Sequence, residues 1–171
     1  GIAAGLQDRV IQVYEGCVYM DFDRSLMETR GYGYYEPIDP ELLPNLYIAY
    51  RSDFGESSDV FHNRIRERWA QGDPDVVNAM QEFARCAEEV RTLLLSKRGN
   101  EIGYWLNRNF DIRRSIYNLN PADVDMVERA RSVGASAKFA GSGGAIVGVY
   151  EDEAMYERLV QAFENTSVVV F

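Results

Sequence analysis

Apolar residues along this chain fall into two spacings, and the switch between them marks out the elements. From Ala4 to Tyr14 the apolar positions Leu6, Val10, Ile11 and Tyr14 recur as on one face of a helix. Gly16 breaks that run, and the following CVYMDF predicts a short strand. The stretch from Asp23 to Leu43, with RGYGYYEPIDPELLP inside it, is rich in glycine and proline and reads as an exposed connection. LYIAYRS (Leu46 to Ser52) predicts a strand, and SDFGESSD after it predicts a polar loop. VFHNRIRERWAQG predicts a helix ending at Gly72. Asp73-Pro74-Asp75 then supplies a cap with proline in the first turn of the next. Val76, Val77, Met80, Phe83, Ala84, Ala87, Val90, Leu93 and Leu94 give that helix its apolar face. Another helix after KRGNE turns Ile102, Leu106, Phe110 and Ile116 inward, and NPADVDMVERARSVG predicts one more, stopping near Gly134. The tail alternates: AIVGVYE as strand, DEAMYERLVQAFEN as helix, SVVVF as final strand.

This order predicts an α+β fold, with helices packed on one face of an antiparallel sheet and a ferredoxin-like arrangement at the end. The length of 171 residues suits one domain, or one domain with a small appendage. The apolar fraction of 46% is that of a packed globule. A net charge of -9 argues against a nucleic-acid surface, though converging arginines can still receive a small anionic substrate. No apolar run approaches the ~18 residues of a membrane span, and no stretch resembles a signal peptide. Cys17 and Cys86, far apart in apolar company, form neither a disulfide framework nor a zinc pattern, which favours a reduced, cytoplasmic setting. The chain opens on Gly1 with no methionine and reads as the middle of a longer polypeptide, so a fragment is the expectation.

Candidate chemistry concentrates between Ser132 and Asp152, in SVGASAKFAGSGGAIVGVYED. Backbone amides approach a phosphate closely only where no Cβ intervenes, and glycine also permits the positive φ of an anion-binding nest. Gly141-Ser142-Gly143-Gly144 meets both demands, but in the order helix, loop, strand. Phosphate loops of the Walker and dinucleotide types run strand, loop, helix. By itself the segment fits a tight turn feeding a strand equally well.

Its surroundings add a resemblance. The stretch ending a helix and opening a strand, with Ala135, Lys138, Gly141, Ser142, Gly143 and Gly144, resembles the third conserved motif of the GHMP kinases, which phosphorylate small-molecule hydroxyls with ATP. Gly5-Leu6-Gln7-Asp8-Arg9 with VIQVYEGCVYMDF is similar to the segment carrying the catalytic aspartate in the sugar-kinase branch. NRNFDIRR, Asn107 to Arg114, resembles that branch's substrate-side helix. In combination these stretches are most similar to the glucuronokinase-type members, over nearly the whole chain. The PxxxGLGSSAA-type loop that cradles ATP in the N-terminal half of these enzymes has no counterpart here.

The resemblance therefore implies the C-terminal portion of a sugar kinase acting on glucuronate or a related sugar. Residues 1–30 would be a remnant of the N-terminal half and 31–171 the ferredoxin-like C-terminal domain. ATP and Mg²⁺ would serve the complete enzyme, with the metal held mostly outside this chain, and the chain alone would be inactive. The partners implied are a sugar, the missing N-terminal half and, as a candidate, a second copy of the chain. The contrasting reading is a non-catalytic binding or interaction module built on the same layer.

By the same resemblance Asp8 would orient the substrate hydroxyl and accept its proton, and Arg9 would steady Asp8 or face the transferring phosphate. The amide of Asn107 and the carboxylate of Asp111 suit sugar hydroxyls, while the forks of Arg113 or Arg114 suit an anionic substituent. Lys138 would partly neutralise phosphates held by the glycine loop. Plain alternatives stand beside each role: a helix-dipole aspartate, a solvated polar helix face, a C-terminal helix lysine. His62 has no companions for a triad or a metal cluster and reads as structural or superficial. Trp69 and Trp105 read as partly buried. Tyr32, Tyr34 and Tyr35 read as a loop packed on the body or a lid over a ring.

Overall fold

The computed structural model describes residues 5–52 and 59–171, with side chains not described for 59–64. Residues 53–58 of the expected SDFGESSD loop and the side chain of His62 thus lie outside the described residues.

The N-terminal helix α1 (Leu6–Tyr14) leads into β1 (Cys17–Asp21), which pairs antiparallel with β2 (Tyr34–Ile38) as a separate ribbon. Between them lies α2 (Arg24–Arg30), so the stretch expected as an open connection holds a helix and a strand. The Asp23 carboxylate accepts from the Leu26 N–H at 3.0 Å to start α2, and left-handed Gly31 ends it. This helix is too short to show an apolar period. The strand is disguised by Pro37, tolerated because β2 is an edge strand of a two-stranded ribbon. The ribbon spans position 30, with β1 on one side and β2 on the other.

β3 (Leu46–Arg51), β4 (Lys138–Phe139), β5 (Ala145–Val149) and β6 (Val168–Val170) form the main sheet in the order β4-β5-β3-β6, antiparallel throughout. Each crossover skips over one strand: β3 reaches β4 with β5 between them, and β5 reaches β6 with β3 between them. That is the split βαβ pairing of a ferredoxin-like sheet, as expected. The two-residue β4 is too short to be read from sequence.

Strand alternation turns Tyr47, Ala49 and Ile146 toward the helices and Leu46, Ile48 and Tyr50 outward. Gly148 sits where β5 passes the Ser136 carbonyl, and any Cβ there would collide with that oxygen. Tyr47 Oη also donates to it at 2.7 Å.

Helices α3 (Asp59–Ala70), α4 (Pro74–Leu95), α5 (Ile102–Ile116) and α6 (Pro121–Ser132) fill the first crossover, and α7 (Glu153–Ala162) fills the second. The Asp73 carboxylate accepts from Asp75 N–H at 3.0 Å and caps α4 as expected. The buried stripe of α4 is Val76, Ala79, Cys86, Leu93 and Leu94; Ala84 and Ala87, expected inward, are exposed. Methyl side chains contribute too little apolar area to fix a helix face. Trp69 is 50% exposed and not a core residue, whereas Trp105 packs between α4 and the ribbon.

Candidate active site

The backbone of the glycine loop is held from two sides. Ala140 donates to the Ala145 carbonyl at 2.9 Å and closes the β4–β5 hairpin around residues 141–144. On one side Arg51 N–H donates to the Gly144 carbonyl at 2.9 Å. The Arg51 guanidinium in turn meets the Asp123 carboxylate at 3.2 Å, with side-chain exposures of only 17% and 6%. Asp123 sits in the first turn of α6, where Pro121 and the Asn120 cap, accepting from Ala122 N–H at 2.9 Å, begin the helix. Gly143 packs directly on that carboxylate. A Cβ at Gly143 would stand 2.5 Å from Asp123 Oδ2, and its φ of +152° also favours glycine.

From the other side comes Arg113, near the C-terminal end of α5. Its Nη1 donates to the Gly141 carbonyl at 2.7 Å and its Nη2 to the Ser142 carbonyl at 3.4 Å. The guanidinium lies over the rings of Phe139 and Tyr117, 5.2 and 5.5 Å from their centroids. The carbonyls of Gly141, Ser142 and Gly144 are therefore all engaged. Among the described residues, no hydrogen bond uses the N–H of Gly141, Ser142, Gly143 or Gly144. A loop whose acceptors face the protein while its donors stay open is suited to an anion.

Lys138 and Arg113 supply the local positive charge. Burial pushes the Lys138 ammonium below the ordinary lysine range, and the neighbouring Arg113 charge pushes it the same way. Burial also lowers Arg113. Among the described residues neither meets a carboxylate within ion-pair distance, and Arg113 Nε is buried with no partner. Lys138 Nζ donates only to the Phe139 carbonyl, at 2.7 Å. An anion at the loop would offset the mutual repulsion of these cations.

Asn107, Asp111 and Arg114 share a helix face, but that face looks toward α6. Arg131, which the sequence did not single out, organises it. Its Nη1 donates to Asp111 at 2.7 Å, and its Nη2 donates to the carbonyls of Asn107 at 2.9 Å and Ala137 at 3.2 Å. Asn107 Oδ1 accepts from Ala137 N–H at 2.9 Å, just before β4. Arg114 meets Glu128 of α6 at 2.9 Å. These side chains brace the entry to β4 and, through it, the loop.

Asp8 and Arg9 lie elsewhere in the chain's layout, on α1. Asp8 Oδ2 accepts from Gly5 N–H at 3.0 Å and closes the helix N-terminus. The helix rests on the ribbon, with Tyr14 edge-on to Tyr35 at 5.7 Å. Among the described residues no hydrogen bond or ion pair links α1 to the glycine loop. The structure thus gathers Arg113, Lys138 and residues 141–144 and braces them with Asn107 and Asp111, while no described hydrogen bond or ion pair joins Asp8 or Arg9 to them. A cavity of about 660 Å³ touches only Asn107 of these residues and runs past Asn45, Tyr104 and Glu151. Asp123 and Arg51 escaped the sequence reading because an acid in a first helical turn and an arginine ending a strand carry no signal of their own.

No family model matches the chain. Among solved structures it resembles mevalonate kinase from L. major in complex with R-mevalonate (TM-score 0.66, 18% identity), covering 80% of this chain and 42% of that one. It also resembles a D-glycero-D-manno-heptose 1-phosphate kinase from Bacteroides thetaiotaomicron (TM-score 0.65, 19% identity), covering 99% of this chain and 45% of that one. The fold is accordingly that of part of a GHMP kinase. Sequence carries the likeness further. The chain is 47% identical over 150 residues to glucuronokinase 1 of Arabidopsis thaliana and 48% identical over 151 residues to probable glucuronokinase 2 of the same plant. Over this span the chain is a homologue of glucuronokinases, and its fold is the one its GHMP kinase neighbours share. The matches cover 86% of this chain but 41% of each relative, so the chain spans about two-fifths of the length of the curated relatives it matches.

Proposed function

We propose that this chain is the C-terminal portion of an ATP-dependent kinase that phosphorylates a hydroxyl of glucuronate or a related sugar, and that it acts as part of a complete enzyme. The observation that carries the reading is the glycine loop. Its carbonyls are drawn inward by Arg113 and Arg51 while its amides stay open beside the unpaired Lys138. Residues 1–30 then belong to the neighbouring half of the cleft and 31–171 to the C-terminal domain.

Phosphoryl transfer depends on positioning and charge stabilisation more than on covalent chemistry by the protein. In this reading the N–H groups of residues 141–144 and the Lys138 ammonium receive phosphate oxygens of ATP. Arg113 holds the loop carbonyls and keeps those donors aimed outward, while Asn107 and Asp111, anchored by Arg131, fix the entry to β4. Asp8 orients the sugar hydroxyl and accepts its proton, with Arg9 beside it. Its Oδ2 already accepts from Gly5 N–H, which leaves Oδ1 for the hydroxyl. Among the described residues no three acidic, histidine or cysteine side chains converge on a metal position. Mg²⁺, which such chemistry uses to offset phosphate charge, would be held by the ATP phosphates with one or two carboxylates of the complete enzyme.

Asp8→Asn in the complete kinase tests the assignment. Turnover of glucuronate should fall about 10²–10⁴-fold while the affinity for ATP is retained. Undiminished turnover removes Asp8 from the reaction.

A further inference from the structure

A second cavity, about 500 Å³, opens between α1 and the β1–β2 ribbon and includes no residue of the glycine loop. Its polar lining is Arg9 and Tyr14 from α1, Arg30 at the end of α2, and Tyr32, Tyr34 and Tyr35 from the turn and strand that follow. Among the described residues no carboxylate lines it. Most other arginines of this acidic chain are paired with a carboxylate, although Arg66, Arg113 and Arg158 also meet none among the described residues. Arg24, Arg68, Arg91, Arg98, Arg108, Arg114, Arg129 and Arg131 each meet an aspartate or glutamate. Arg9 and Arg30 meet none among the described residues, although the sequence holds 27 Asp and Glu against 18 Lys and Arg. Two guanidinium groups left without carboxylates at one cavity are what an anionic ligand requires.

The tyrosines are placed by the backbone. Gly33 lies against the Asp21 carbonyl, where a Cβ would collide, and its N–H donates to Tyr35 Oη at 3.0 Å. That contact fixes the turn between Tyr32 and Tyr34, whose rings remain 57% and 47% exposed. Tyr34 is steadied edge-on by Tyr19 at 6.5 Å. Open, fixed aromatic faces with hydroxyl tips offer a flat apolar surface and hydrogen bonds to the same ligand.

We infer that this cavity is the subsite for the carboxylate and ring of an acidic sugar, with Arg9 and Arg30 taking the carboxylate and the tyrosines taking the ring and its hydroxyls. The inference rests on the sugar-kinase reading above, since Arg9 directly follows Asp8 and the cavity begins one residue from the proposed hydroxyl-orienting group. It also moves the reading of the anionic substituent away from Arg113 and Arg114, which are committed to the loop carbonyls and to Glu128.

Calorimetric titration of glucuronate and of glucose into the complete kinase, its Arg30→Gln variant and its Arg30→Lys variant decides the matter. Arg30 is exposed, so the variants keep the fold. Glucuronate should bind the parent more tightly than glucose does. Arg30→Gln should weaken glucuronate about ten- to hundredfold, the span of a charge-assisted hydrogen bond, with glucose and ATP unaffected, and Arg30→Lys should recover part of the loss. Equal glucuronate affinity in parent and Arg30→Gln, or no glucuronate binding by the parent, overturns the subsite. Turnover measured in parallel separates the two claims. A parent that binds glucuronate through Arg30 without phosphorylating it keeps the subsite and refutes the kinase reading.

Discussion

Gly143 packs its α-carbon against Asp123 Oδ2 and adopts a backbone conformation that side chains rarely share. Both the space and the φ reject a methyl group there. Gly141, two residues earlier, has nothing within 4 Å of where its Cβ would stand and no positive φ. The pair makes an internal control. Gly143→Ala should destabilise the protein by about 1–3 kcal/mol through strain and overpacking, lowering the melting temperature by several degrees. Gly141→Ala should stay within about 0.5 kcal/mol. Equal melting temperatures for the two variants would mean that the loop does not lean on Asp123. Sequence alone made the run of glycines legible but not which of them the fold requires, because the partner that excludes a side chain is 20 residues away in the chain.

At the scale of elements, what could be read in advance was whatever a long apolar period or a strong cap announces. The α4 helix, its Asp73-Pro74 start, the alternating β3 and β5, and a ferredoxin-like layer all follow from local pattern, whereas the strand order does not. Elements held by tertiary pairing were not legible: α2, β2 with its Pro37, and the two-residue β4. The same divide runs through the candidate site. Lys138 and the glycines were visible, whereas Arg131, Arg51 and Asp123 became meaningful only once α5, α6 and β3 met. Arg113 was visible but with a different expected partner. Its grip on Gly141 and Ser142 makes a test of the loop as an element. Arg113→Ala should speed hydrogen exchange at the amides that report loop position, Ala140 bonded to Ala145 and Arg51 bonded to Gly144, by about tenfold or more. Since Arg113 contributes to lowering Lys138, the Lys138 ammonium should titrate at higher pH in the variant. Unchanged exchange at both amides would show that the hairpin holds its shape without the arginine.

Across the whole molecule, α5 is the element through which the packing is shared. Its 15 residues span roughly 22 Å, and each stretch serves a different cluster. Ile102 packs with Ile38 of the ribbon and with Leu93 and Leu94. Ile112 and Ile116 join Val76 and Cys86 under α3 and α4. Phe110 enters the sheet core with Tyr47, Met126 and Ile146, edge-on to Phe139 at 5.3 Å. A helix common to every cluster couples them, so the ribbon, the helical layer and the sheet should unfold as one. Phe110 is 1% exposed, and Phe110→Ala should cost about 3–5 kcal/mol. The loss should be felt equally by probes far from the cavity. Tryptophan fluorescence reports the α3–α5 side through Trp69 and Trp105, and far-ultraviolet dichroism reports the whole. Coincident denaturation curves, shifted together in Phe110→Ala, are the expected result. A variant whose tryptophan transition stays at the parent midpoint while the dichroism moves would show that the sheet layer and the helical layer are independent, and that α5 joins them without coupling them.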